Sequence, residues 1–242
     1  MNQKTNLFRS AASRHISPRW KYRILSWLSR GCRKGRGSYV HPSVQILGEE
    51  NVSIGSNTFI GEQTWLNVNH RIRGETVILV GDNCFIGRRN FFSSGKRIEM
   101  GDYVLTSLEC KFVCSSHDVG DPLVPYLASG ATSGGIIRIG VNCFFGTGAM
   151  VLGDVKIGHG SVVGAGALVT KDVPAFCMVV GNPARILRRY SFSKKSWIEE
   201  ASVSAEDLKE NPDEEAYLEL LRKGYPKIEM PVIAAGGDLG SF

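Results

Sequence analysis

The 242-residue sequence has no stretch of 18 apolar residues, no Cys-x-x-Cys pair, and neither an Asn-Gly nor an Asp-Gly dipeptide. The first absence leaves nothing long enough to cross a bilayer as a helix. The N-terminal segment also lacks the apolar run of about 7–15 residues that a secretory signal carries. Six cysteines, scattered along the chain, are too few for a disulfide-stapled secreted domain, so a reducing cytoplasm is the expected compartment. Without Asn-Gly or Asp-Gly, a series of tight hairpins is not the reading to favour. Acidic residues are missing from one end: residues 1–37 hold ten Lys or Arg and no Asp or Glu, whereas 199–216 are rich in acids. The net charge of +6 is therefore largely a local basic arm, and no nucleic-acid partner is expected.

What the middle of the chain does have is a six-residue period. From Ile139 it reads IGVNCF, FGTGAM, VLGDVK, IGHGSV, VGAGAL, VTKDVP. The first position (Ile139, Phe145, Val151, Ile157, Val163, Val169) is always apolar, and the second is usually Gly. The fifth is small or β-branched: Cys143, Ala149, Val155, Ser161, Ala167. The same phase appears at Ile54, Ile60, Val80, Ile86 and Met100, so the hexads run from about Val52 to Val173. Short insertions interrupt them near 73–79 and 98–99, and a long one at 118–136. A period of six suits neither an α-helix nor an alternating strand. It suits a short strand followed by a tight corner, repeated and stacked into a β-helix around an apolar column. In this reading glycine supplies the backbone angles of the corner. Cys84, Cys110 and Cys143, on the fifth position, are inert core fillers.

These hexads, with SSHDVGD (115–121) and VVGNPARILRR (179–189), resemble the hexapeptide-repeat acyltransferases. The similarity spans roughly residues 40–190. It is greatest to the bacterial polysaccharide O-acetyltransferases, including the colanic-acid-biosynthesis type, with the maltose and galactoside O-acetyltransferases next. The resemblance implies an all-β, left-handed parallel β-helix, a homotrimer with sites between neighbouring subunits, acetyl-CoA as co-substrate and no metal. It implies His117 as the base that takes the proton of a hydroxyl acceptor, since imidazole titrates near neutrality. It also implies that Thr170, Lys171, Arg185 and Arg188 contact CoA, and that Thr147 and Ala165 are small so that the pantetheine arm can lie along the coils. Arginine grips phosphate at two points, and lysine acts as a point charge. The loop 118–136, with Asp118, Asp121 and Tyr126, would bind acceptor or CoA. Two departures concern the acceptor. Ser93 or Ser94 stands where the galactoside enzymes carry an acceptor-binding Asn, and Phe144 stands at their Trp. Both favour a glycan acceptor in cell-surface polysaccharide or lipopolysaccharide synthesis over a simple galactoside.

The ends read differently. Residues 1–39 form a basic arm in which PRWKYRILSWLSR (18–30) reads as an amphipathic helix. It suits either contact with an anionic membrane on its inner face or a cap on the first coil. Residues 191–242 read as a helical extension ending in a disordered tail over the last ten. Asn211-Pro212-Asp213-Glu214 marks the start of a helix running to about Lys223.

Three other functions compete. A zinc-dependent γ-class carbonic anhydrase shares the fold but needs three histidine ligands, two of them five positions apart; Pro122 occupies the place five after His117, and His159 reads as a surface residue. A non-catalytic scaffold or ice-binding wall would show rows of Thr, which are absent. N-acetylation of an amino-sugar would use the same histidine. Cys114, three residues from His117, is a conceivable nucleophile that direct transfer makes unnecessary.

Overall fold

The computed structural model describes residues 31–132 and 134–230, so the helix expected at 18–30 and the tail expected over the last ten residues lie outside the described residues. The chain winds into a left-handed parallel β-helix with three walls. Wall A stacks Arg33–Lys34, Val52–Ile54, Ile78–Val80, Arg97–Met100, Ile136–Ile139 and Val155–Ile157. Wall B stacks Tyr39–Val40, Phe59–Ile60, Phe85–Ile86, Leu105–Thr106, Phe144–Phe145, Val162–Val163 and Cys177–Val180. Wall C stacks Gln45–Leu47, Trp65–Val68, Phe91–Ser94, Lys111–Val113, Met150–Leu152 and Leu168–Val169. Where hexads are uninterrupted, partners lie 18 positions apart, as in Ile139↔Ile157, Phe145↔Val163 and Val151↔Val169. Three hexads thus make one coil and three walls. The first hexad position points inward: Ile60, Ile86, Phe112, Phe145, Val151, Ile157 and Val163 are all fully buried. Phe92 stacks on Phe112 at 4.9 Å, and Phe112 meets Phe145 edge-on at 5.1 Å.

The corners correct the expected role of glycine. The second-position glycines do not carry the left-handed backbone. A Cβ on Gly81 would come within 2.6 Å of Gly101 C, and one on Gly87 within 2.2 Å of Ser107 O, both backbone atoms of the next coil. The glycine is there because the coils stack too closely for any side chain. The positive φ falls at the fourth position. Asn57, Gln63, Asn83, Arg89, Glu109 and Asn142 hold it at 51–60°, and Gly148, Gly160 and Gly166 at 65–70°. The fifth-position thiols behave as expected: Cys84, Cys110 and Cys143 are buried, and burial pushes them up to about 12, 11 and 12.

The helix begins seven residues before the expected boundary, because Arg33–Lys34 already pairs with Ser53–Ile54. It also ends later. Arg185–Ser191 turns back antiparallel on Cys177–Val180, and Ser196–Glu199 pairs antiparallel with it. Two helices follow, α1 (Ala205–Lys209) and α2 (Glu214–Gly224). α2 is capped two residues further on than Asn211, the first residue of the expected start: Asp213 accepts from Ala216 N at 2.8 Å. The segment from 212 to 228 runs along the edge between walls A and B. His159 is hydrogen-bonded to Pro212 O (3.0 Å) and packs against Phe176 and Tyr217, so it is half-buried rather than on the open surface. Glu214 accepts from Val141 N at 2.8 Å, Arg222 pairs with Asp102 at 2.9 Å, and Asn83 accepts from Ile228 N at 3.2 Å.

Asp207 ties α1 to the hairpin. It is 3% exposed and accepts from the Ser204 hydroxyl and N–H, Lys194 and Ser191. The Ser204 donors, then Lys194 and Ser191, hold its carboxyl well below the usual carboxylate range. A depressed pKa stabilises the fold above the unfolded value of about 4 and stops doing so as pH falls toward the folded value. Asp207→Asn is therefore expected to loosen the 191–209 module at pH 7. The gap from wild type closes only on acidification below about pH 4. Amide exchange of this module against pH reads it; a gap independent of pH contradicts the assignment.

Candidate active site

Every insertion into the hexads leaves the helix at the same edge, between walls C and A. They fall after Leu47, after Val68, after Ser94 and after Val113. The longest carries His117. Its strand Ser116–His117 pairs antiparallel with Ala131–Thr132, so the loop folds back on its own stem. The exposed ring places Nδ1 3.2 Å from Gly130 O. A carbonyl only accepts, so Nδ1 carries the hydrogen, and Nε2 is left with a free lone pair facing solvent. A backbone carbonyl thereby sets the tautomer that a general base requires.

Around this stem the sequence-derived candidates separate. Coil counting left Ser93 and Ser94 as alternatives, but side chains alternate along a strand. Ser94 turns inward and is fully buried, with its Oγ donating to Asn67 O at 3.3 Å, so its hydroxyl is closed to any ligand. Ser93 faces the corner, where it accepts from Asn69 Nδ2 at 3.0 Å and shares a 2.7 Å hydrogen bond with Ser115. Asn67 Nδ2 donates to Asn69 Oδ1 at 2.8 Å. A polar chain Asn67–Asn69–Ser93–Ser115 thus ends two residues from His117. Asp118 turns its carboxylate onto Gly120 N at 2.9 Å and Asp121 onto Leu123 N at 2.9 Å, shaping the loop. Tyr126 is half exposed, beside the open side chains of Leu123 and Leu127. Cys114 is 4% exposed and accepts from Gly95 N at 3.1 Å, and burial raises its pKa, so it stays a buried thiol.

Sequence reading missed Asn69, Ser115 and His70. His70 Nε2 lies 3.1 Å from Thr132 O and bridges two insertions that are 62 residues apart. Their only signal in the sequence is that each follows a wall C strand at the edge that carries His117.

The residues matched to CoA divide in two. Thr170, Lys171 and Arg185 line one cleft with Asp172, Ala184 and Ile186, where the turn after Val180 folds back over the last coil. Ala184 N donates to Leu168 O at 2.7 Å, which pins that turn to wall C. Arg188 is outside the cleft and pairs with Glu199 at 2.7 Å. Thr147 and Ala165 sit exposed, one coil apart, on the edge between walls B and C. Wall C separates that edge from His117, roughly 15 Å at ~3.3 Å per residue. Among the described residues, no three His, Cys, Asp or Glu side chains gather to hold a metal, and no helix is long and apolar enough to cross a membrane.

Residues 137–171 match the family model described as bacterial transferase hexapeptide (six repeats). No curated protein matches the chain in sequence. Among solved structures, it is similar to AntD, an N-acyltransferase from Bacillus cereus, in complex with dTDP and coenzyme A. That match has 19% identity, covers 71% of this chain and 90% of that one, and has a TM-score of 0.59. A hexapeptide-repeat acetyltransferase from Vibrio cholerae, complexed with acetyl-CoA, matches at 23% identity over 73% and 79%, with a TM-score of 0.48. A maltose O-acetyltransferase from Clostridium difficile matches at 22% identity over 72% and 77%, with a TM-score of 0.44. At 19% identity the likeness to AntD is one of fold. Residues 137–171 carry the repeat of that model, within a chain built as a left-handed parallel β-helix.

Proposed function

We propose that this protein is an acetyl-CoA-dependent acetyltransferase that acetylates a hydroxyl of a sugar or glycan, in the synthesis of a cell-surface polysaccharide. The observation that carries the reading is His117, with its tautomer fixed by Gly130 O and Nε2 open to the loop edge. Nε2 takes the hydroxyl proton as the acceptor oxygen attacks the thioester carbonyl. The tetrahedral oxyanion collapses, the C–S bond breaks, and the departing CoA sulfur receives the proton from Nε2. The thioester is already activated, so no covalent enzyme intermediate is needed, and holding the two substrates together supplies much of the rate. Lys171 and Arg185, with the Thr170 hydroxyl, bind CoA phosphate in their cleft, and the pantetheine arm lies along Thr147 and Ala165.

Those two residues and His117 lie on opposite edges of wall C, which supports a site completed by a neighbouring chain. The outward rows of two walls support it as well. Tyr39, Phe59 and Phe85 stack on wall B at 5.3 and 4.9 Å, and Leu105 and Phe144 continue the row, exposed. Trp65 and Phe91 open a similar row on wall C. Wall A instead shows Arg97, Glu99 and Arg138 in ion pairs. Apolar faces B and C meeting those of sister chains give the homotrimer, with A toward solvent. The cytoplasm is the proposed compartment.

Thermal unfolding with acetyl-CoA tests the donor. At about 100 times Kd the wild type gains roughly 2.7 kcal/mol. Lys171→Ala/Arg185→Ala loses two charge-assisted contacts, about 10²-fold in Kd, and with it most of the shift. Arg188→Ala, whose guanidinium is engaged by Glu199, keeps the larger part. No shift in the wild type would return the protein to the scaffold reading.

A further inference from the structure

The geometry points to His70 as a positioning residue for His117, a role that rests on the acyl-transfer reading. The His117 loop stands on a ladder of two residue pairs, Ser116↔Thr132 and His117↔Ala131. So short an antiparallel pair is marginal by itself. Its return end is fastened to the helix: Gly135 N donates to Cys114 O at 2.9 Å, and Lys96 N donates to Gly135 O at 3.0 Å. Gly134 passes so near Cys114 O that a Cβ there would lie 2.0 Å from it. Beyond this point the returning strand Ala131–Thr132 leaves the coils, and His70, from an earlier insertion, meets it. His70 belongs to the insertion after Val68, two coils below, and reaches past the tight Ser94–Arg97 corner to Thr132 O at 3.1 Å.

The two histidines therefore hold opposite ends of one short strand. His117 Nδ1 bonds Gly130 O before it, and His70 Nε2 bonds Thr132 O at its end. Thr132 also returns its hydroxyl to Ser116 O at 3.1 Å, which locks the strand to the residue preceding the base. By fixing Thr132, His70 fixes the Gly130 carbonyl that orients the catalytic ring. It touches neither acceptor nor donor.

The test uses the full chain with His70→Ala and His70→Gln, the second keeping an N–H donor. Amide exchange over 116–118 and 130–132 is expected to rise about tenfold in His70→Ala, the worth of one hydrogen bond, and to return in His70→Gln. CoA release from acetyl-CoA, with water as acceptor, falls about tenfold in His70→Ala at unchanged acetyl-CoA affinity. In a His117→Ala background, His70→Ala costs nothing further, because its effect passes through the missing ring. Unchanged exchange in His70→Ala overturns the proposal whatever the activity. An additive loss in the double variant overturns it too, since His70 would then act on the chemistry alone. Raised exchange in a protein that neither releases CoA to water nor transfers acetyl to any acceptor of a sugar and amino-sugar panel supports the latch and overturns the acyl-transfer reading.

Discussion

His117→Ala is expected to lower turnover by about 10²–10⁴-fold while leaving the affinity for acetyl-CoA within about twofold. The two halves of this expectation have separate structural causes. The ring stands on the insertion stem at the C–A edge, exposed, with one nitrogen committed to Gly130 O and the other free. Its removal deletes the proton acceptor and the hydrogen bond to Gly130 O, and because the ring is not part of the packed core the variant keeps the fold of wild type. The cleft holding Thr170, Lys171 and Arg185 lies at the last coil and shares no residue with the stem. Loss of turnover with an intact donor shift is the signature of a group that acts in the transition state. Comparable turnover in the variant, measured by CoA release at saturating acetyl-CoA, would remove His117 from the chemistry.

The second large effect is on stability. Gly87→Ala places a methyl 2.2 Å from Ser107 O and 2.8 Å from Thr106 O. Both are backbone atoms of the coil above, so no side chain can swing aside. The coils must part at the place where Gly87 N donates to Thr106 O at 3.1 Å. A cost of roughly 3 kcal/mol or more follows from forced overpacking combined with a weakened ladder. Gly148→Ala is the matched control. Gly148 has φ +70° and nothing within 4 Å of its absent Cβ, so alanine there meets only backbone strain, about 1–2 kcal/mol. Chemical denaturation of the two variants orders them. A smaller loss for Gly87→Ala than for Gly148→Ala would contradict the stacking account of the second-position glycine.

That contrast shows what a hexad pattern makes legible. Period and apolar phase place Phe145, Val151 and Ile157 inward without reference to any coordinates, because three hexads of equal length must build three equal walls. The pattern does not distinguish why glycine is present. A corner needing positive φ and a coil needing bare backbone both select it, and here Asn, Gln, Arg and Glu meet the first need at six corners and Gly148, Gly160 and Gly166 at three more. The first coil escaped the pattern for a related reason. Val40 and Ile46 keep the inward phase and pair with Ile60 and Leu66, but His41 and Leu47 stand where glycine would have signalled the repeat. Candidate positions could be picked out where they ride on the repeat or its interruption, as with His117, Lys171 and Thr170. Asn69, Ser115 and His70 were not, since only the lengths and folding of two insertions bring them together. Ser93 and Ser94 differ by one position, and the two-residue alternation of a strand, invisible to coil counting, turns one outward and the other into the core.

One measurement tests the central claim most directly. The protein is incubated with radiolabelled acetyl-CoA and a panel of neutral sugars, amino-sugars and polysaccharide fragments, and the labelled product is treated with mild alkali. Expected is label on a hydroxyl-bearing acceptor, released by alkali as an ester must be, and absent when His117→Ala replaces the wild type. Label of equal amount from the variant, or label that resists alkali as an amide does, would contradict hydroxyl acetylation by His117.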